Sequence, residues 1–571
     1  MGAGHIMSRK VKLSFVVLVV GCWLAPLVLA AEPGQNQRES NKASRMPPKI
    51  TVSKETTYVT GPLRPDGSVD FIAAINERCS QGVTPENNAA VAFWQAVGPK
   101  GIKAEVRDRY FALLGVAELP ETGEYLVSFD GFLPIFKGRK LNSGENSPDD
   151  AWVKETNEQF SRSQETLWIK DEFPVVAALL AHNEKPLQKL VEASKMPQYF
   201  SPLVVGDGES LIHVELILGM PELREVTRQL AARAMLRIKS GDFDGACEDT
   251  SAIYRLTQGY AKGPFLVDRL VAIICQNHAD AAAVMLSQQS TIGSGRLKAI
   301  QAEVSQTSLL PPITALWDKG ERLFELSFVI DLASGNGRNK ALNSDGEWYM
   351  SLGDESHKRV YRALRKVLRR DDIDFNEVLR CRNAMTDRAL LAMKADCYRN
   401  RMEALARLER EATKAGTRAA DEVLSIQWER EPPTAQIATR QFASLVNAPG
   451  HLGFAFTGGI RADARQRMQR QLVLIAFALA RYQREHQKYP ESLSELQPSY
   501  LDKLSTDIFN GDRPLQYKTD RKGYLVYSLG FNGKDDEGRG VGDNVVSGEN
   551  QEMTNWDDIA ISTPDWKPGK K

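Results

Sequence analysis

Apolar residues recur at Met468, Leu472, Ile475, Leu479 and Tyr482, and spacings of four and three draw one stripe along a helix over 462–486. The same helical texture dominates from about residue 175 to 430. Residues 223–238 and a segment ending at Gln258 read as two helices joined by a Gly-Asp turn, with a third over 266–286. Residues 391–415 intersperse Arg and Glu as on the solvated face of an amphipathic helix. Upstream, Asp70 is placed to cap a helix over 71–79, and Pro85-Glu86-Asn87 to open one that runs through Val97. Residues 50–60 are rich in β-branched side chains and read as extended, before turn signals at Gly61-Pro62 and Pro65-Asp66-Gly67. After Tyr489-Pro490 the period changes. A short helix over 492–496 precedes strand candidates at 515–518 and 524–528, joined by a loop over 519–523.

These patterns predict a multidomain, mainly α protein. An irregular helical array of α-solenoid type fills 70–445, a connector follows over 446–461, and a small α+β domain occupies 462–563 before a tail at 564–571. The turn at Ser240-Gly241-Asp242 and its flanking helices resemble a tetratricopeptide-type hairpin. The resemblance covers one unit, without a 34-residue period.

The N-terminus adds an address. Arg9, Lys10 and Lys12 precede an apolar run from Leu13 to Leu29, and Val28-Leu29-Ala30 predicts a signal peptide over 1–30 cleaved after Ala30. Met7 is as good a start as Met1 by this logic. A lipoprotein anchored through Cys22 is the weaker reading, because apolar residues Trp23 to Leu29 follow that cysteine. A polar linker with the extended segment then covers 31–69. Export predicts a periplasmic or extracellular protein with five cysteines, Cys79, Cys247, Cys275, Cys381 and Cys397, too few for a disulfide scaffold. Cys247 with Cys275, on neighbouring helices, is the best candidate bridge.

The last hundred residues carry a resemblance. Ala478-Leu479, Tyr482, Tyr489-Pro490, Leu493, Leu496, Tyr500-Leu501, Asp507, Tyr517, Tyr527-Ser528-Leu529-Gly530, Asn532-Gly533 and Asp557-Asp558-Ile559 resemble, in order and spacing, the globular domain of type II secretion major pseudopilins. The resemblance implies a long helix on a small antiparallel sheet, followed by a calcium-binding loop. It also has departures: some 430 residues precede the helix, Arg465, Arg467 and Arg470 sit where a membrane-buried helix would be apolar, and the family's Gly-Gly pair is absent. A domain type reused in an exported protein is the expectation, not a pilus subunit.

The loop residues speak for calcium by themselves. Between Asn532 and Asp558, eight acidic residues meet only Lys534 and Arg539, with glycines at 533, 538, 540 and 542. Ca²⁺ takes six to eight oxygens from such groups, and Asn532, Asp535, Asp536, Asp543, Asp557 and Asp558 are the candidate ligands. The loop is not an EF-hand, since counting from Asp535 puts Arg539 at a ligand position.

Other chemistry is sparse. The histidines show no metal-ligand spacing, His278 reads as a core residue, and Gly206-Asp207-Gly208-Glu209-Ser210 lacks both the P-loop lysine and the flanking glycines of a nucleophile turn. His213 and Glu215, two apart, do not share a helix face. The chain is 42% hydrophobic and 26% charged, with 73 basic and 73 acidic residues, which excludes a general nucleic-acid binder. Without the signal peptide the count becomes 70 basic against 73 acidic, a charge of about −3. One helix concentrates Lys358, Arg359, Arg362, Arg365, Lys366, Arg369 and Arg370, which could touch an anionic surface or meet acidic neighbours. The expected role is a non-enzymatic interaction protein for a protein or peptide of the cell envelope. A periplasmic hydrolase with carboxylates assembled from distant segments stays open as the alternative.

Overall fold

The computed structural model describes residues 49–141, 148–206, 211, 219–307, 309–334, 355–448, 456–520, 523–543, 546–547, 552–564 and 566. The predicted signal peptide with Cys22, the 207–210 turn, and His213 with Glu215 lie outside the described residues. Those described are mainly helical, with a small antiparallel sheet region near the C-terminus.

Asp70 caps α1 (Phe71–Cys79) by accepting the Ala73 N–H at 3.0 Å. Residues 50–60 form a turn, not the expected extended segment. The Ser53 carbonyl accepts the N–H groups of Thr56, Thr57 and Tyr58, so hydroxyl-rich local bonding replaces strand pairing. Helix α2 (Ala89–Val97) starts later than predicted because Asn87 is spent on the Thr84 N–H and Asn88 supplies the cap. Helices α3 (Ala104–Leu113), α4 (Phe129–Lys137), α5 (Pro148–Ser163), α6 (Pro174–His182) and α7 (Glu184–Ser194) enclose the first part of a large core around Trp94, Phe160 and Trp168.

The hairpin read from the sequence is present as α8 (Met220–Ser240) and α9 (Phe243–Tyr260). Gly241 ends α8 at φ +84°, and Asp242 caps α9 through the Gly245 N–H at 3.0 Å. Helix α10 (Leu266–Ser287) packs on both, and α11 (Ser294–Thr307) lies beside α9. Length and composition alone would let α10 cross a membrane, yet it runs through the core and carries buried Asp268, Arg269 and Asp280.

Cys247 and Cys275 are free thiols, contrary to the proposed bridge. Their helices do neighbour one another, but Cys275 turns toward Thr227 on α8 while Cys247 lies near Arg296 and Glu303 on α11. Burial pushes Cys275 up to about 11 and Cys247 up to about 12, keeping both protonated. Both thiols should resist Ellman's reagent in the native protein and react once guanidinium unfolds it. Fast native labelling of Cys275 would contradict this packing.

A second group of helices builds a separate core. Thr314–Leu316 runs through a π turn, Trp317–Glu321, into α12 (Arg322–Ala333). Helices α13 (Glu355–Leu368), α14 (Phe375–Met393), α15 (Tyr398–Val423) and α16 (Ala435–Asn447) join α12 and α1 around Phe324, Leu364, Phe375 and Phe442. The single helix expected over 391–415 is thus two. Tyr398 marks the break by packing edge-on against Phe509 at 4.8 Å, a contact with the C-terminal region that periodicity could not reveal.

Helix α17 (Phe456–His486) begins before the predicted 462 because Phe456 and Ile460 extend its buried stripe into a cluster with Trp317 and Met393. It packs along α10 and α11 and continues onto the sheet, so one hydrophobic core runs through both. Polar groups fix its register on the helical body. Asp463 accepts from Arg269 Nε at 3.0 Å and Arg467 Nε at 2.7 Å. Gln466 donates to Gln276 and Asp280, and Tyr254 donates to Asp280 at 2.7 Å. Arg470 lies over the Tyr254 ring and donates to the Val304 carbonyl.

Beyond α17, β1 (Thr506–Asp507) pairs with β2 (Arg513–Pro514). The main sheet takes β3 (Gln516–Thr519) and β4 (Tyr524–Ser528). After a small hairpin of β5 (Val546–Ser547) and β6 (Glu552–Met553), β7 (Ile559–Ser562) completes it. The order β3-β4-β7 is antiparallel, with Leu525 opposite Ser562 and Ser528 opposite Ile559. Alternation sends Tyr524 and Val526 into the α17 core and Leu525, Tyr527 and Leu529 into a second cluster with Ala560 and Trp566. Strand β4 is therefore buried on both faces.

Candidate metal centre

The second face of β4 is covered by the acidic loop that follows it. Gly538, at φ +81°, rests on Leu525 so closely that a Cβ would lie 3.0 Å from that side chain, and the Tyr527 hydroxyl donates to Asp535 at 2.9 Å. The loop start is tied down by Asp507, fully buried, which accepts from Ser528 Oγ at 2.8 Å and the Leu529 N–H at 2.9 Å.

This closure brings Asp536, Asp557 and Asp558 together, with one oxygen of each within 4.8 Å of the others. Asp558 is 1% exposed; its Oδ2 accepts the N–H groups of Asp536 at 3.1 Å and Gly538 at 2.8 Å. Asp557 is 8% exposed, and its Oδ2 accepts those of Phe531 at 2.9 Å and Asn532 at 3.0 Å. In both, Oδ1 is buried with no hydrogen-bond partner among the described residues. Such orphaned carboxylate oxygens are costly unless a proton or a cation satisfies them.

The electrostatics follow. Burial raises Asp558 to about 7, with the Gly538 N–H pulling it down and Asp536 and Asp535 pushing it further up. Burial also raises Asp557, against the N–H groups of Asn532 and Phe531 and the charge of Arg465. These three carboxylates could hold a metal ion, which would replace mutual repulsion with shared attraction.

The remaining sequence candidates take other positions. Asn532 spends its Oδ1 on the Lys534 N–H at 2.7 Å, and its Nδ2 donates to Asp536 at 2.9 Å, so it orients Asp536. Asp535 accepts from Tyr527 and from the Glu537 N–H, and Asp543 caps a turn through the Gly540 N–H at 2.9 Å. Neither joins the trio. Sequence reading missed Arg465 as a neighbour of this centre: its guanidinium donates to the Asp557 carbonyl at 3.3 Å. The signal was there, since Arg465 stands three residues before Met468 on the buried stripe of α17.

Two other candidate features make contacts within the fold. His278 is half-buried beside Thr227 at 3.3 Å, and desolvation lowers it to about 4, so it is neutral at pH 7. On α13, Val360, Leu364 and Val367 are buried while the basic face meets carboxylates. Lys358 pairs with Glu355, Arg359 with Asp421 at 2.6 Å, Lys366 with Glu429 at 3.0 Å and, just beyond the helix, Arg370 with Asp372 at 2.6 Å. No family model matches the chain, and neither curated proteins nor solved structures give a significant match.

Proposed function

We propose that this chain is an exported, non-catalytic binding protein of the cell envelope whose C-terminal module is closed by Ca²⁺. One observation carries the calcium reading: two aspartates, each at least nine-tenths buried, aim unpartnered Oδ1 atoms into a cluster with a third carboxylate. Carboxylate oxygen suits a hard cation, and backbone carbonyls and water can complete the six to eight positions Ca²⁺ prefers. Ion binding would hold the loop across β4 and shield Leu525 and Tyr527 from water.

The pseudopilin-like reading of this module is supported by its order: a long helix, a three-stranded antiparallel sheet on one side, and an acidic loop between its last two strands. The interaction role rests on the helical body. Helices α8, α9 and α10 pack each on the next, the arrangement from which irregular α-solenoids build extended faces for protein or peptide partners.

Calorimetry of the full chain should give one calcium site. Melting should move upward with Ca²⁺ and return with chelator, since calcium at a hundredfold excess over its Kd contributes about 2.7 kcal/mol. Absence of binding heat together with a chelator-insensitive melt would overturn the calcium closure.

A further inference from the structure

A cavity of about 600 Å³ lies away from the acidic loop, between the end of α1, the start of α3, the extended segment 198–206 and the entrance to α10. Its size is that of a small-molecule site. Arg78, Lys103, Lys262 and Lys319 line it, against Glu105 and Asp268. Basic groups thus outnumber acidic ones four to two, in a protein whose overall charge is balanced. Tyr199, Phe200, Val204 and Phe265 supply an apolar wall.

The wall is built with care at one point. Lys319 projects from the π turn Trp317–Glu321, a rare backbone form that recurs at functional sites. Gly320 in that turn abuts the Pro264 carbonyl with no room for a Cβ, which presses the turn against the 262–265 loop and seals that side. Lys319 is half-buried and has neither hydrogen bond nor ion pair among the described residues. Among the described residues Lys262 and Arg78 donate to carbonyls, of Pro197 at 3.4 Å and Asp318 at 3.1 Å, and neither has an ion pair.

The first turn of α10 is not the source of attraction. Its leading N–H groups are already taken, Phe265 by Asp268 at 3.0 Å and Leu266 by Glu321. The Lys319 and Lys262 side chains are what remains for a ligand's charge. An inorganic anion would leave most of the space wet, because a water occupies about 30 Å³ and the cavity admits on the order of twenty. The apolar wall calls for an attached apolar body.

We propose that this cavity binds a small organic anion, its acidic headgroup held by Lys319 and Lys262 and its apolar body laid against Tyr199 and Phe265. The probe is 1-anilinonaphthalene-8-sulfonate, which joins an acidic group to an aromatic body, titrated by fluorescence into the full chain. One saturable site is expected, with benzoate and decanoate as competitors and inorganic phosphate a much weaker one. K319M should weaken binding about tenfold, and K262Q should do the same while circular dichroism stays unchanged. Both replacements remove charge without adding bulk, and either alone suffices if the other misfolds. Absence of saturable binding, affinity unchanged in both variants, or phosphate competing as well as benzoate would each overturn the proposal.

Discussion

Replacing Asp558 by asparagine should abolish the proposed calcium binding and reduce the pH response of the metal-free protein. The amide keeps an oxygen for the Asp536 and Gly538 N–H groups, so the loop retains its anchor. What disappears is the charge. In the folded chain Asp558 sits at about 7, well above its ordinary value of 3.8, chiefly through burial. Its neutral form therefore favours folding: that contribution is complete below 3.8 and is lost as pH rises through about 7. Chelated wild-type protein should melt higher at pH 5.5 than at pH 8, and D558N should show less of that difference, the rest coming from Asp268 and Glu321, which burial raises to about 7 and about 8. Calcium reverses the sign, because the ion binds the carboxylate only after the proton leaves. Affinity should climb by up to about tenfold per pH unit toward 7 and then level off. Melting curves with chelator at the two pH values, and calcium calorimetry at both, read the whole scheme. Wild-type calcium affinity in D558N would refute it.

The second large effect is expected far from the loop. Asp463→Ala should cost about 3–5 kcal/mol, because it strands Arg269, 1% exposed, without its carboxylate. Arg467 loses the same partner but is exposed enough to turn to water. The double variant R269M/D463L should recover most of the loss, since two apolar groups need no mutual compensation. Urea midpoints for the single and double variants decide it. A loss under about 1 kcal/mol in D463A would mean that the pair does not hold α17 to α10.

Much of the secondary structure was legible because it depends on local chemistry. Asp70 and Asp242 cap their helices as short polar side chains do at those positions, and Tyr524–Ser528 forms the strand its run of aromatic and aliphatic residues suggests. Long-range contacts were not legible. The break between α14 and α15 exists because Tyr398 reaches Phe509, more than a hundred residues away. Cys247 and Cys275 sit on adjoining helices, but rotation about each helix axis turns their thiols to different neighbours. At the acidic loop, composition marked the segment in which the carboxylates cluster, while only folding separates Asp536, Asp557 and Asp558 from Asp535 and Asp543. The cavity left no linear signature at all, being drawn from residues between Arg78 and Lys319.

Helix α17 carries a practical consequence for anyone dividing this protein. Its 31 residues span about 46 Å at 1.5 Å each, and along that length it packs on α10 and α11 as well as on the sheet. A cut ahead of Phe456 would strip Leu472, Ile475 and Leu479 from the helical body and leave a raw apolar seam on both fragments. Such fragments should clump when expressed separately and recombine when refolded together. The joint that looks like a boundary in the chain is, in three dimensions, a spine shared by both sides.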